Sequence, residues 1–181
     1  MIEGAPTGAP EEATFYPDGW GNLRTMAEES RKRGEKGPPE PSDRDAGIWR
    51  GRKIARRFTS PDGFVVLVGK SAEDNDLLSI HLAEPGDFWF HLAGDSGSHV
   101  VVRNPDRIDR LPRATERFAA GLAAGYSKAK NAGRVAVHAC RAEDVSKRRG
   151  QPAGEVTLER WRSVTVEPLR LDHPPAEVCH S

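Results

Sequence analysis

Residues 87–102 constrain the fold more than any other stretch. They contain an alternating segment, then two glycines that favour a turn, and then three consecutive valines. In the first part, Phe88 and Phe90 alternate with Trp89 and His91. One face of a strand would thus be apolar, and the other would present an indole and an imidazole. Gly94 and Gly97 permit a tight turn, and the three valines at 100–102 suit a second strand. We predict a strand–turn–strand unit.

The predicted turn places several kinds of polar group at one end of a sheet. Ser98 and His99 follow Gly97 directly, and the turn itself exposes backbone N–H groups. Such a cluster could bind an anion, perform catalysis or simply form a well-bonded turn. The residues of the turn leave these three alternatives open.

The flanking segments predict an α+β fold. Pro61-Asp62-Gly63 is a strong turn signal between a basic segment that leads to Phe58-Thr59-Ser60 and a β-branched segment at 64–68, which indicates a hairpin. Ser71 is suited to cap a helix that runs to about residue 82, and apolar spacing predicts a second helix over about 113–128. Further strands are expected at 134–139 and, as two short strands around a turn, at 156–166. We predict a mostly antiparallel sheet with two main helices packed on one face.

Composition divides the 181-residue chain into three parts. Residues 1–47 are rich in Pro, Gly, Glu and Arg, which predicts a flexible arm with a possible short helix at 24–32. Residues 48–169 form the predicted domain, and residues 170–181 a frayed tail. Because the N-terminus lacks a signal-peptide pattern and no apolar run approaches the roughly 18 residues of a membrane span, we expect no membrane association. Two cysteines form no disulfide framework, so we expect a cytoplasmic protein.

The zero net charge conceals an uneven distribution of charged residues. Residues 1–47 contain 10 acids and 6 bases, whereas the rest of the chain has 21 bases against 17 acids, a net charge of +4. The bases are also clustered along the sequence. A mildly basic domain with clustered cations favours an anionic partner.

A series of short motifs runs in order along the predicted domain. The first are Arg57-Phe58, Ser60, Asp62-Gly63-Phe64, Val68-Gly69-Lys70, Asn75-Asp76, Leu78, Asp87, Trp89-Phe90-His91 and Gly97-Ser98-His99-Val100-Val101. The others are Ala124, Tyr126-Ser127-Lys128-Ala129, Lys147, Gly150, Pro152, Gly154-Glu155-Val156 and Val166-Glu167-Pro168. Together they resemble the NFACT-R domain, formerly grouped with fibronectin-binding-protein-A-like sequences. Ser96 and His81 depart from the pattern, where Pro and Lys are common.

This resemblance implies an RNA-binding module. Full-length relatives carry further domains, bind the large ribosomal subunit and tRNA during rescue of stalled ribosomes, and add tails to the stalled chain. We expect a stand-alone member that does not elongate tails. Its partner would be tRNA or ribosomal RNA, possibly on the large ribosomal subunit, and we expect no cofactor, no metal and no catalysis.

The candidate RNA-binding residues combine cations with the predicted turn. They are Arg56, Arg57, Lys70, Trp89, His91, Ser98, His99, Arg103, Lys128 and Lys130. The cations would contact phosphates, while Ser98 and His99 would shape the turn and donate hydrogen bonds. Trp89 and His91 could stack on a base or brace the turn, and we favour bracing for Trp89 because large aromatic side chains are mostly buried.

Two other classes of function remain open. A protein-interaction adaptor would use the aromatic residues of the arm, Phe15, Tyr16 and Trp20. A metal-dependent hydrolase or nuclease would require convergence of the histidines with a carboxylate; the candidates are His81, His91, His99, His138 and Asp87.

Overall fold

The computed structural model describes residues 42–170. The predicted arm, with its aromatic residues and its helix at 24–32, lies outside the described residues except for 42–47, as does the tail beyond residue 170. The strands are β1 (Ile48–Trp49), β2 (Arg52–Lys53), β3 (Ala55–Thr59), β4 (Val65–Gly69), β5 (Phe88–Leu92), β6 (Val100–Val102), β7 (Val135–Arg141), β8 (Val145–Ser146), β9 (Thr157–Leu158) and β10 (Arg162–Val166). Helix α1 (Ala72–Asp76) continues as a π-helix (Leu77–Leu82), helix α2 spans Arg113–Gly125, and a 3₁₀ turn spans Ala142–Asp144.

The main sheet has six antiparallel strands in the order β10-β7-β5-β6-β4-β3. This confirms the predicted α+β class, the β3–β4 hairpin and the β5–β6 strand–turn–strand unit. The prediction of two short strands around a turn at 156–166 implied that these strands pair with each other. In the structure they do not. Strand β9 pairs with β8, whereas β10 pairs with β7 at the edge of the main sheet.

The two helical segments pack on opposite faces of the sheet, so the prediction of one shared face is wrong. Helix α2 covers the side chains at even positions of the central strands, such as Phe88, Phe90 and Val100. The π-helix covers the odd positions, where Leu78 and Leu82 pack with Leu67, Trp89 and Val101. Burial on both faces is the reason why the three valines of β6 are all inaccessible to solvent.

The helix ends follow local hydrogen bonding. Ser71 caps α1 as predicted, since its side chain accepts a hydrogen bond from the backbone N–H of Asp74 at 3.2 Å. Helix α2 ends at Gly125 rather than near residue 128. The chain leaves the helix because Ser127 forms a β-bridge with Gly97 and turns its hydroxyl to the carbonyl of Ala124. Within residues 42–170, the structure contains no helix long and apolar enough to span a membrane.

Candidate nucleic-acid interface

The turn between β5 and β6 is fixed by groups from three other segments. Asn75 donates from its amide nitrogen to the carbonyl of Gly97 at 3.1 Å and accepts from the backbone N–H of His99 at 3.0 Å. The Ser98 hydroxyl donates to the carbonyl of Gly69 at 2.9 Å, and its backbone N–H donates to the carbonyl of Tyr126 at 3.0 Å. The turn therefore has one defined shape, with the end of β4 and the end of α2 on its two sides.

A buried chain of hydrogen bonds supports the turn from below. The Trp89 indole N–H donates to the Ser79 hydroxyl at 2.9 Å, and that hydroxyl lies 2.8 Å from Nδ1 of His99. Nε2 of His99 lies 3.1 Å from the carbonyl of Gly154, and Nδ1 lies 3.3 Å from the carbonyl of Asn75 as well as close to Ser79. We assign the ring proton to Nε2 because its carbonyl is the nearer one and because the Ser79 hydroxyl, which accepts from Trp89, has a proton to donate to Nδ1. Nδ1 then accepts from Ser79. Burial is the main reason why the pKa of His99 falls to about 3, so the ring is neutral.

Burial corrects two of the predicted RNA contacts. Trp89 is 1% exposed and His99 is fully buried. Stacking of a base on Trp89 is therefore excluded, and its position is that of a brace. His99 shapes the turn from inside the protein and has no surface to offer to RNA. His91 is half-buried, its ring lies 5.0 Å from that of His99, and burial lowers its pKa.

Four of the predicted cations are carried by, or packed on, segments that contact the turn. The Arg56 guanidinium lies over the Tyr126 ring, 5.1 Å from the centroid, and Lys70 directly follows Gly69, whose carbonyl holds Ser98. The backbone N–H of Lys128 donates to the carbonyl of Ser96 at 3.3 Å. The side chain of Lys128 is 73% exposed and lies 3.9 Å from the Asp95 carboxylate, a separation and exposure that make the ion pair weak. Lys130 is also exposed, two residues further along.

Arg103 does not belong to this group, and its prediction as a phosphate contact is wrong. It follows β6, at the end opposite to the turn, and it is buried. Its guanidinium binds three carboxylates, those of Asp45 at 3.0 Å, Glu84 at 3.5 Å and Asp87. A buried cation that is paired with three acids, one of which, Asp87, is itself buried, is a structural group.

Arg57 is also separated from the other cations. Successive side chains of a strand point to opposite faces, so Arg57 lies on the other face of β3 from Arg56. It is half-buried, and its Nε donates to the carbonyl of Asp45 at 3.0 Å. Arg56, Lys70, Lys128 and Lys130 are therefore carried by or packed on segments that contact the turn, although the Lys70 ammonium donates to the carbonyl of Lys53 at 3.5 Å, and Arg57 lies elsewhere.

A groove of about 730 Å³ lies between the turn and the loop at residues 153–156. The loop is held in place because the backbone N–H of Gly154 donates to Asp76 at 3.2 Å, while Lys147 forms an ion pair with the same carboxylate at 2.8 Å. His91 and His138 line the groove. Its wall combines hydroxyl and imidazole groups with apolar side chains such as Leu92, Val156 and Leu158.

The histidines do not form the cluster that the metal-dependent alternative requires. His81 stacks on Trp49, with ring centroids 5.5 Å apart, whereas His91 and His99 lie beneath the turn. Among residues 42–170, no three His, Cys, Asp or Glu side chains are arranged to bind a metal ion.

Sequence reasoning missed the residues that build the turn from a distance. Asn75 and Tyr126 belong to the motifs of the family resemblance, but the sequence predicts no role for them in the turn, and it does not single out Ser79. A signal for Asn75 was present, because an asparagine within a helix is unfavourable unless its side chain has a specific partner. No local signal linked Gly154 to His99, which is 55 residues away.

Exposed cations on segments beside a turn of defined shape are the arrangement expected of a domain that binds polyanions. The chain belongs to the family of the NFACT protein RNA binding domain, whose model matches residues 55–160, more than half of the chain. The predicted resemblance is thereby confirmed.

Named relatives extend this assignment. The chain is 33% identical over 115 residues to the Rqc2 homolog RqcH of Bacillus subtilis, an alignment that covers 64% of this chain and 20% of that protein. It is 32% identical over 100 residues to the ribosome quality control complex subunit 2 of Schizosaccharomyces pombe, covering 55% of this chain and 10% of that protein. The chain therefore spans between a tenth and a fifth of these relatives.

A solved structure shares the fold. The C-terminal part of the fibronectin/fibrinogen-binding protein from Streptococcus suis superposes with a TM-score of 0.61 at 29% sequence identity. The match covers 81% of this chain and 56% of that one. The similarity therefore includes most of the described domain.

Proposed function

We propose that this protein is a non-catalytic RNA-binding module that recognises tRNA or ribosomal RNA during ribosome quality control in the cytoplasm. The proposal rests on four cations, Arg56, Lys70, Lys128 and Lys130, that are carried by or packed on the segments holding one rigid turn. The RNA-binding family and the names of the relatives support the same function. Association with the large ribosomal subunit belongs to the same proposal.

In this proposal the cations contact phosphates, and the turn holds the segments that carry them in position. Lys128 and Lys130 are exposed, so they can neutralise phosphates without first breaking a strong ion pair. Arg56 is held over Tyr126, which fixes the direction of its guanidinium and lowers the entropy lost on binding. Ser98 keeps the turn against Gly69 and so keeps Lys70 beside it. Phosphate contacts of this kind position an RNA without reading its sequence.

The salt dependence of binding tests the contribution of the lysines. Four phosphate contacts give a slope of about −3 for log affinity against log salt with single-stranded RNA. The double variant Lys128→Ala, Lys130→Ala should flatten that slope by about 1 to 1.5. The charge-conserving variant Lys128→Arg, Lys130→Arg is the matched control and should keep the slope. An unchanged slope in the alanine variant would remove both lysines from the interface.

The identity of the RNA requires a second experiment. Ultraviolet cross-linking of the full chain in cells, followed by sequencing of the attached RNA, should recover tRNA or fragments of ribosomal RNA. The alanine double variant, expressed at the same level, should recover less of the same RNA. Recovery of unrelated transcripts in proportion to their abundance would contradict the proposed specificity.

A further inference from the structure

A second cavity of about 750 Å³ opens at the edge of the main sheet and shares no lining residue with the groove beside the turn. It exists because two strands end at different points. Strand β7 continues to Arg141, whereas β10 begins only at Arg162, which pairs with Ala139. The last two residues of β7 therefore have no paired strand on the β10 side, and the gap beside them forms the cavity. Its volume lies within the range of about 300 to 1,000 Å³ that small-molecule sites have.

Trp161 stands at the mouth of this cavity with 53% of its surface exposed. Within the described residues it is the one large hydrophobic side chain that is exposed. Its ring packs against that of His138 at 81°, with centroids 4.1 Å apart. The contact positions the indole, yet about half of it still faces solvent. An indole held in this way is a surface on which a planar group can stack.

The lining of the cavity is positively charged. Five arginines and three carboxylates surround it, which leaves a net charge of +2; the arginines are Arg110, Arg113, Arg141, Arg160 and Arg162. Two of them are paired with acids, since Arg160 binds Asp144 at 2.7 Å and Arg162 binds Glu116. Arg141 donates to the backbone carbonyls of Gly86 and Asp109, at 2.7 and 2.8 Å, so its charge is held in place but not cancelled by these contacts.

We propose that this cavity binds one unpaired nucleotide of the RNA, with the base stacked on Trp161 and its phosphate among the arginines. The inference rests on the proposed RNA-binding function and adds a second point of contact to it. An aromatic platform beside a cationic wall matches the two parts of a nucleotide. A base within a duplex is already stacked on its neighbours, so the site would select single-stranded segments.

Variants of Trp161 test this assignment with the full chain and two probes, a short single-stranded RNA and a duplex that contains the same sequence. Trp161→Ala should weaken binding of the single strand by between about 5-fold and about 150-fold. Trp161→Phe, the matched control that keeps an aromatic ring, should retain most of the affinity. Neither variant should change binding of the duplex, and neither should change the salt slope, because the indole carries no charge.

The possible outcomes separate the two proposals. Unchanged single-strand affinity in Trp161→Ala, or an equal loss with the duplex, would overturn the nucleotide site and leave the lysine test unaffected. If the unmodified protein binds neither probe, the proposed RNA-binding function itself fails. Should Trp161→Ala not fold, cross-linking of the unmodified protein to RNA that contains 4-thiouridine decides the matter. Cross-links within residues 158–162 support the site, and cross-links confined to residues 94–99 overturn it.

Discussion

Replacement of His99 by glutamine should remove a defined part of the acid sensitivity of this domain. The neutral ring accepts from Ser79 at 2.8 Å and donates to the carbonyl of Gly154 at 3.1 Å, and it is fully buried. Protonation would place a charge in the interior and convert the accepting Nδ1 into a donor. This is the physical reason why the pKa is lowered to about 3 from an ordinary value of 6.5.

The sign of the effect follows from which state binds the proton. Below pH 6.5 the unfolded chain protonates His99, whereas the folded chain does not until the pH approaches 3, so stability falls as the pH is lowered through this window. Each pH unit below about 6 should cost about 1.4 kcal/mol, which gives about 2 kcal/mol at pH 5. His91 and His138, whose pKa values are also lowered by burial, add to the acid sensitivity in the same direction.

Urea denaturation at pH 7, 6 and 5 measures this effect. His99→Gln should be less stable than the unmodified protein at pH 7, because glutamine cannot reproduce both hydrogen bonds. Its free energy of unfolding should then decline less steeply with falling pH, and the difference between the two proteins should shrink by about 2 kcal/mol between pH 7 and pH 5. Parallel pH profiles for the two proteins would refute the assignment of a buried neutral ring.

Two further predictions concern the scaffold. Arg103→Ala should reduce the free energy of unfolding by about 3 to 5 kcal/mol, because it leaves the buried carboxylate of Asp87 without its cation. Urea denaturation measures this loss. A change below about 1 kcal/mol would contradict the buried ion pair. Gly97→Ala would place a methyl group 2.7 Å from Cβ of Ser127, so the β-bridge must open. We expect thermal unfolding to show a free energy of unfolding lower by about 1 to 3 kcal/mol, and RNA binding to be weaker. Unaltered RNA affinity would show that binding does not need the turn.

Local patterns were sufficient for much of the fold. The alternation of Phe88 and Phe90 with Trp89 correctly predicted a strand with two different faces, and Pro61-Asp62-Gly63 correctly predicted the hairpin. The sequence contained a signal against the wrong prediction that both helices pack on one face of the sheet. A continuous run of three valines is typical of a strand buried on both sides, which requires cover on each face of the sheet.

The candidate site was predicted less completely, because its geometry depends on distant contacts. The pattern around Arg103 is that of a surface cation after a strand, yet Asp45 and Asp87, 58 and 16 residues away, enclose it. Lys128 was predicted as a phosphate contact, whereas nothing in the sequence around Trp161 distinguishes a buried tryptophan from an exposed one. Burial is a property of the assembled domain, and single-residue patterns do not encode it.

The cover on both faces of the central strands has a consequence for how nucleic acid approaches. Domains that read bases on an open sheet need one broad surface free of helices, and here helix α2 and the π-helix occupy both surfaces. A ligand can therefore meet β4, β5 and β6 only at the rim, where strands give way to loops. We therefore expect RNA to follow the strand ends and the loops that join them rather than to lie across a face of the sheet.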